Sequence, residues 1–216
     1  MKRFGLIWLL IASSPGYAHQ PVMDMAPRWD GGYGIQSRVE YFNSRTTTWL
    51  EGVYTFDKSV RITAKLPYAD GEFGGLILGV PLKKYRNSGP RTSNWSITPS
   101  VQLPTGPSGS LNHGLSVSYS SESPRFYQLY DLYAWEDRTG LDVNVGLAFP
   151  GKGQGMFAIW DLSLLESDYG DRIQSGPVFV YFKKNFMFRA EYKALIWERD
   201  SNWSGGFFNI GIGFVY

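Results

Sequence analysis

Leu141-Asp142-Val143-Asn144-Val145-Gly146-Leu147-Ala148-Phe149 shows the alternation on which the fold rests. Every odd position is apolar and bulky, while the even positions are polar or small. A period of two places the two sets on opposite faces of a β-strand. The same contrast recurs upstream. Trp95, Ile97, Pro99, Val101 and Leu103 alternate with Asn94, Ser96, Thr98, Ser100 and Gln102, and Val60, Ile62, Ala64 and Leu66 alternate with Arg61, Thr63 and Lys65. One face carries large apolar groups and the other carries charges, amides, hydroxyls and glycines. Lipid outside and a polar interior satisfy both faces at once.

Working outward, the pattern predicts an all-β fold, a closed antiparallel transmembrane β-barrel of twelve strands. They fall near 32–43, 46–56, 59–68, 73–86, 92–103, 113–121, 125–136, 140–149, 154–166, 172–183, 186–198 and 205–216. Several reach the roughly 9–11 residues that a tilted spanning strand needs. Turn residues separate them, as at Asp57-Lys58, Asp70-Gly71 and Pro150-Gly151-Lys152-Gly153. The weakest members are 73–86 and 125–136, where aromatics and leucines occupy both faces, so ten or fourteen strands stay open at this point. A soluble sandwich would bury the apolar face between two sheets. It leaves unexplained why strand after strand repeats the same contrast, with aromatics near the ends. Tyr33, Tyr41, Tyr54, Trp95, Tyr119, Trp160, Tyr192 and Phe214 are expected in interfacial girdles.

The first eighteen residues are of another kind. Lys2 and Arg3 precede the short apolar run Phe4 to Ala12, and Gly16-Tyr17-Ala18 supplies small residues before a cut. Residues 1–18 therefore read as a cleaved secretory signal peptide, too short in its apolar part to span a bilayer. Residues 19–31 are expected to be a periplasmic N-terminal segment or plug, and 32–216 the barrel of a Gram-negative outer membrane. Removing Lys2 and Arg3 from the 21 basic residues leaves 19, equal to the 19 acidic ones. A neutral chain of this kind gives no argument for nucleic acid, whose backbone calls for a basic surface. The absence of cysteine excludes a disulfide scaffold and thiolate chemistry.

In the last strand Phe208, Ile210, Ile212, Phe214 and Tyr216 alternate with Asn209, Gly211, Gly213 and Val215. Ile212, Phe214 and the terminal Tyr216 resemble the signal that the barrel assembly machinery reads. Lipid and that machinery are thus the expected partners, together with a small-molecule solute.

Four stretches resemble the outer-membrane barrel family named for the meta-pathway of phenol degradation. They are Gly52 to Val60, Leu66-Pro67-Tyr68, Phe73-Gly74-Gly75-Leu76-Ile77-Leu78-Gly79 and Leu103-Pro104-Thr105-Gly106, in that order over about a quarter of the chain. The resemblance implies a barrel and uptake of small, often hydrophobic compounds; it supplies no catalytic residues. The family usually shows an acidic Gly-Asp where this chain has Gly74-Gly75.

The strand phase directs Arg38, Glu40, Glu51, Arg61, Lys65, Asp131, Asp142, Asp161, Arg189, Glu191 and Lys193 inward as lumen-lining candidates, five basic and six acidic. It also directs Trp135 and Tyr181 inward. Passage of small, hydrophobic or aromatic solutes is the expected function. The alternatives are a structural or adhesive barrel, and an outer-membrane lipid hydrolase built on His113 with Ser116 or Ser118. No Gly-x-Ser-x-Gly elbow supports the hydrolase. No cofactor is called for. His19, Met23 and Met25 offer nitrogen and thioether donors of a kind that suits copper, against the simpler reading of a tether.

Overall fold

A computed structural model describes residues 32–42, 44–57, 59–106, 110–151, 154–168, 170–199 and 206–215. The strands are β1 (Gly32–Phe42), β2 (Arg45–Thr55), β3 (Arg61–Ala69), β4 (Glu72–Phe73), β5 (Leu76–Gly79), β6 (Leu82–Ser88) and β7 (Arg91–Leu103). They continue as β8 (Asn112–Glu122), β9 (Phe126–Trp135), β10 (Arg138–Gly151), β11 (Gln154–Ser167), β12 (Asp171–Lys183), β13 (Phe186–Arg199) and β14 (Phe207–Val215). Each pairs antiparallel with its neighbours, and β1 closes the ring on β14 with Ile35 opposite Phe214. Because β4, β5 and β6 are pieces of one stave between β3 and β7, the barrel has twelve staves.

The predicted strand 73–86 is in place but broken twice, and both breaks have a physical cause. Pro81 has no N–H to give the ladder. Its carbonyl accepts from Arg61 N at 3.2 Å, and Val80 N donates to Pro99 O at 3.0 Å, so two stagger bonds bridge the gap. At Gly74-Gly75 the stave is held by the loop after β7. Thr105 Oγ1 accepts from Leu76 N at 2.9 Å and donates to Gly74 O at 3.0 Å. Gly74 N donates to Pro67 O at 2.9 Å. A Cβ on Gly106 would lie 1.8 Å from Phe73 O, so only glycine allows this approach. The segments Leu66 to Tyr68, Phe73 to Gly79 and Leu103 to Gly106 thus form one structural knot.

The two faces separate as the alternation requires. In β1, Ile35 and Val39 are 48% and 46% exposed, whereas Arg38 and Glu40 on either side of Val39 are 5% and 2% exposed. Apolar groups out and charges in is the reverse of a soluble sandwich, and it fits a barrel set in lipid. Asp70 and Gly71 both have positive φ (55° and 87°), which gives the tight hairpin turn between β3 and β4.

Two expectations are corrected. Tyr181 faces outward: Val180 beside it is buried, and Phe182 stacks inside on Phe157. Trp160 sits in mid-strand instead of in a girdle. Its indole N–H reaches Ser175 Oγ at 2.7 Å, which satisfies the donor at lipid depth.

Arginine at Val145 or Ile212, both on the outer face, should cost about 2–4 kcal/mol near the midplane. Lysine at Ser116, which follows the inward phase of Ser118, should be tolerated. Heat-modifiable gel mobility and membrane yield read the difference, and equal damage from both faces would contradict the assignment.

Candidate functional site

Residues on eight staves meet inside the barrel. Across β1 and β2, Arg38 Nε donates to Glu51 Oε1 at 2.8 Å, and its Nη1 donates to Glu40 Oε2 at 2.5 Å. Lys65 on β3 lies opposite Glu51 in the register and is half-buried. On the other side of the closing seam, Arg189 Nη2 donates to Glu191 Oε2 at 2.7 Å, which also accepts from Asn209 Nδ2 at 3.1 Å. Lys193 Nζ lies 2.9 Å from Asp161 Oδ1 and 3.2 Å from Glu191 Oε1, and donates to Ser163 Oγ at 2.7 Å. That hydroxyl passes the chain on to Asp142 Oδ1 at 2.5 Å. Asp142 stands directly opposite Asp131 on β9. Arg61 lies apart from this belt, nearer the end of the barrel that holds Gly32 and Val215, where its Nη2 meets Tyr85 Oη at 3.1 Å.

All eleven charged residues singled out in the sequence therefore point inward. Alternation placed ten of them on strands whose two faces differ clearly; Asp131 lies on the stave 125–136, where both faces carry aromatics. Apart from Arg61, they form two linked groups on β1–β3 and β9–β14, and neither sign dominates. Mutual pairing has a physical motive, since an isolated charge away from water is heavily penalised.

The charged list omits much of the interior. The β7–β8 wall is hydroxyl and amide only over its central part: Asn94 Nδ2 donates to Ser120 Oγ at 2.5 Å, and Ser96 and Thr98 share a bond of 3.3 Å. Arg138 and Asn144 on β10, and Arg172 and Gln174 on β12, are buried in the interior too. Their signal lay in the same period of two, read for amides as well as for charges. Toward the end opposite Gly32, cations lie over rings at Arg38–Trp49 (4.8 Å), Arg138–Trp135 (5.3 Å) and Arg172–Phe42 (5.2 Å). Trp135 packs inward against Trp49 and Ile77.

His113 pairs with Glu136 on the exposed surface at 2.7 Å. It occupies the opposite strand face from Ser116 and Ser118, so the residues weighed for hydrolysis are not brought together. Ile212 and Phe214 face outward, 47% and 41% exposed. Tyr216 of the suggested assembly signal, and His19, Met23 and Met25 of the suggested copper site, lie outside the described residues.

This architecture is similar to solved outer-membrane proteins. The KdgM porin matches with a TM-score of 0.61 at 14% identity, over 85% of this chain and 99% of that one. The NanC porin matches with a TM-score of 0.56 at 12% identity, over 84% and 98%. An outer membrane channel from Pseudomonas putida F1 matches with a TM-score of 0.54 at 12% identity, over 86% and 94%. No protein-family model and no curated sequence matches the chain. The fold is that of the outer-membrane porins and channels, a closed antiparallel barrel of twelve staves.

The belt is testable through Lys193. Lys193→Met leaves Asp161, Glu191 and Asp142 without their shared cation. The cost should be about 2 kcal/mol, between the ~1 kcal/mol of an exposed pair and the ~3–5 kcal/mol of a dry one. Adding Asp161→Asn should recover at least half of the loss. Denaturant titration of the barrel in lipid vesicles measures both, and a single-variant effect no larger than the error would show that the belt is not a coupled network.

Proposed function

We propose that this barrel passes small polar and amphiphilic solutes across the outer membrane. The observation that carries the reading is the number of deeply buried polar atoms inside without a protein partner. They include both amide atoms of Asn144, Asp142 Oδ2, Asp161 Oδ2, Gln174 Nε2, Asn209 Oδ1, and Arg189 Nε and Nη1. Left dry, each such atom costs about 1–3 kcal/mol. These eight alone would then consume a stability that is typically ~5–15 kcal/mol. Water along the inner wall satisfies them, and a wetted path through a closed barrel is a route for solutes.

Arg38, Glu40, Glu51, Arg61, Lys65, Asp131, Asp142, Asp161, Arg189, Glu191 and Lys193 line that path in this reading. Their mixed signs give weak ion selectivity. One solved KdgM porin carries an oligogalacturonate; here Asp131, Asp142 and Asp161 interrupt the basic groups that would hold such a polyanion, which favours small solutes. The resemblance of the segments from Gly52 to Gly106 to the meta-pathway family points the same way, toward small and partly apolar compounds. Residues 1–18 are removed on export, and residues 19–31 act as a periplasmic segment that tempers the opening.

Reconstituted protein should show discrete conductance steps in planar bilayers. Lys65→Glu should shift permeability toward cations and Asp131→Asn toward anions, and removal of residues 19–28 should raise the leak. If neither conductance nor liposome swelling with small sugars exceeds the empty-vesicle control, with or without residues 19–28, the barrel is structural or adhesive and the transport reading fails.

A further inference from the structure

The charged belt covers only part of the inner wall. On β7 the six inward positions Thr92, Asn94, Ser96, Thr98, Ser100 and Gln102 each carry a hydroxyl or an amide. Together they span the roughly 9–11 residues of a whole membrane-crossing strand. On β8, Ser120, Ser118 and Ser116 stand opposite Asn94, Ser96 and Thr98, which doubles the ladder over its middle. Gly79 on β5 leaves room for it on the other flank: a Cβ there would come 3.1 Å from Ser100 Oγ and 3.4 Å from Thr98 Cγ2.

The wall itself uses little of this hydrogen-bonding capacity. Asn94 bonds Ser120, and Ser96 bonds Thr98. Among the described residues, no side-chain hydrogen bond engages Ser116 or Ser118, although Ser118 is only 2% exposed. Asn144, two staves on along the row Ser120–Leu129–Asn144, is fully buried with both amide atoms unpartnered. Buried polar groups are normally bonded, and a hydroxyl both donates and accepts. A solute that displaces water from this wall must therefore bring donors and acceptors of its own. Charge does not bias the choice. The middle row runs Lys83–Ser96–Ser118–Asp131 across β6 to β9, so one cation and one anion flank the two serines.

We propose that the β7–β8 wall is a binding track for neutral polyhydroxylated solutes, small saccharides and polyols, which exchange bonds to water for bonds to the ladder. The proposal rests on the wetted interior inferred above and gives its polar solutes a class. Binding along the wall does not require the barrel to be open at both ends, so the two ideas can fail separately.

The test is saturation-transfer NMR of the full chain, folded in an amine-oxide detergent that has no sugar headgroup. The probes are maltotriose, trigalacturonate and triethylene glycol, whose inner ether oxygens only accept. Empty micelles serve as the control, heat-modifiable mobility checks each fold, and bilayer conductance is recorded on the same preparation. Maltotriose should bind saturably, and the other two at least about fivefold more weakly. Thr98→Val with Ser118→Ala removes two hydroxyls at nearly constant shape. It should weaken maltotriose at least about fivefold, each lost bond being worth about two- to tenfold. Should the double variant not fold, Ser118→Ala alone should weaken it about two- to tenfold. Val117→Ala, on the lipid face of the same strand, should bind as the unmodified chain does. Absence of saturable maltotriose binding overturns the proposal, and if the barrel still conducts, the passage stands without it. Equal binding of trigalacturonate or triethylene glycol also overturns it, as does undiminished binding to the folded hydroxyl variants or an equal loss in Val117→Ala. Maltotriose binding in a barrel that does not conduct supports the track and removes the passage.

Discussion

In the hydrocarbon of a bilayer no water is available to an open backbone N–H or C=O, so a sheet can cross only if it has no edge. The pairing of β1 with β14, from Gly34 opposite Val215 to Tyr41 opposite Phe208, meets that condition. The rest of the structure follows from the closure. A closed sheet has one outside and one inside, and a strand period of two sends alternate residues to each. Exposed Ile35, Val39, Leu50 and Ile212 meet lipid, and Gln36, Arg38, Glu51 and Asn209 have nowhere to go but the interior.

The interior then has to reconcile many polar groups with little room. Twelve staves lie between the eight that side chains fill and the sixteen that leave an open channel. Pairing meets part of the demand, with Lys193 shared among Asp161, Glu191 and Ser163, and Arg38 shared between Glu40 and Glu51. Water meets the remainder in the reading proposed here. The buried apolar cluster of Leu129, Phe157, Ile159, Val178 and Val180 has no such need, which is why it can sit toward the end that holds Gly32 and not in the belt.

Much of this was legible in the sequence because period two is an exacting code. A one-residue slip would turn every side chain of a strand to the wrong face. Asp142 and Asn144 could be set inward from their neighbours Val143 and Val145 alone. The code fails where both faces are apolar. Pro177 to Phe182 gives no phase of its own, so Tyr181 was directed inward; the polar half of the same strand, Arg172 and Gln174, carries the correct phase. The apolar cluster around Leu129 and Phe157 was hidden for the same reason, since Phe126 to Trp135 has aromatics on either side. The break in the stave after β3 depends on Thr105, some thirty residues away, and such a long-range staple leaves no local trace.

The absence of natural cysteine makes the wetting proposed for the middle of the barrel directly accessible to experiment. A single cysteine at Asn144 faces the belt, and one at Val145 faces lipid one residue away. The measurement is the rate at which a small, charged, membrane-impermeant thiosulfonate modifies each in the folded, membrane-inserted protein. The account predicts modification of Asn144→Cys and protection of Val145→Cys. Protection of Asn144→Cys until the barrel is unfolded would contradict it and leave a dry, closed interior in its place.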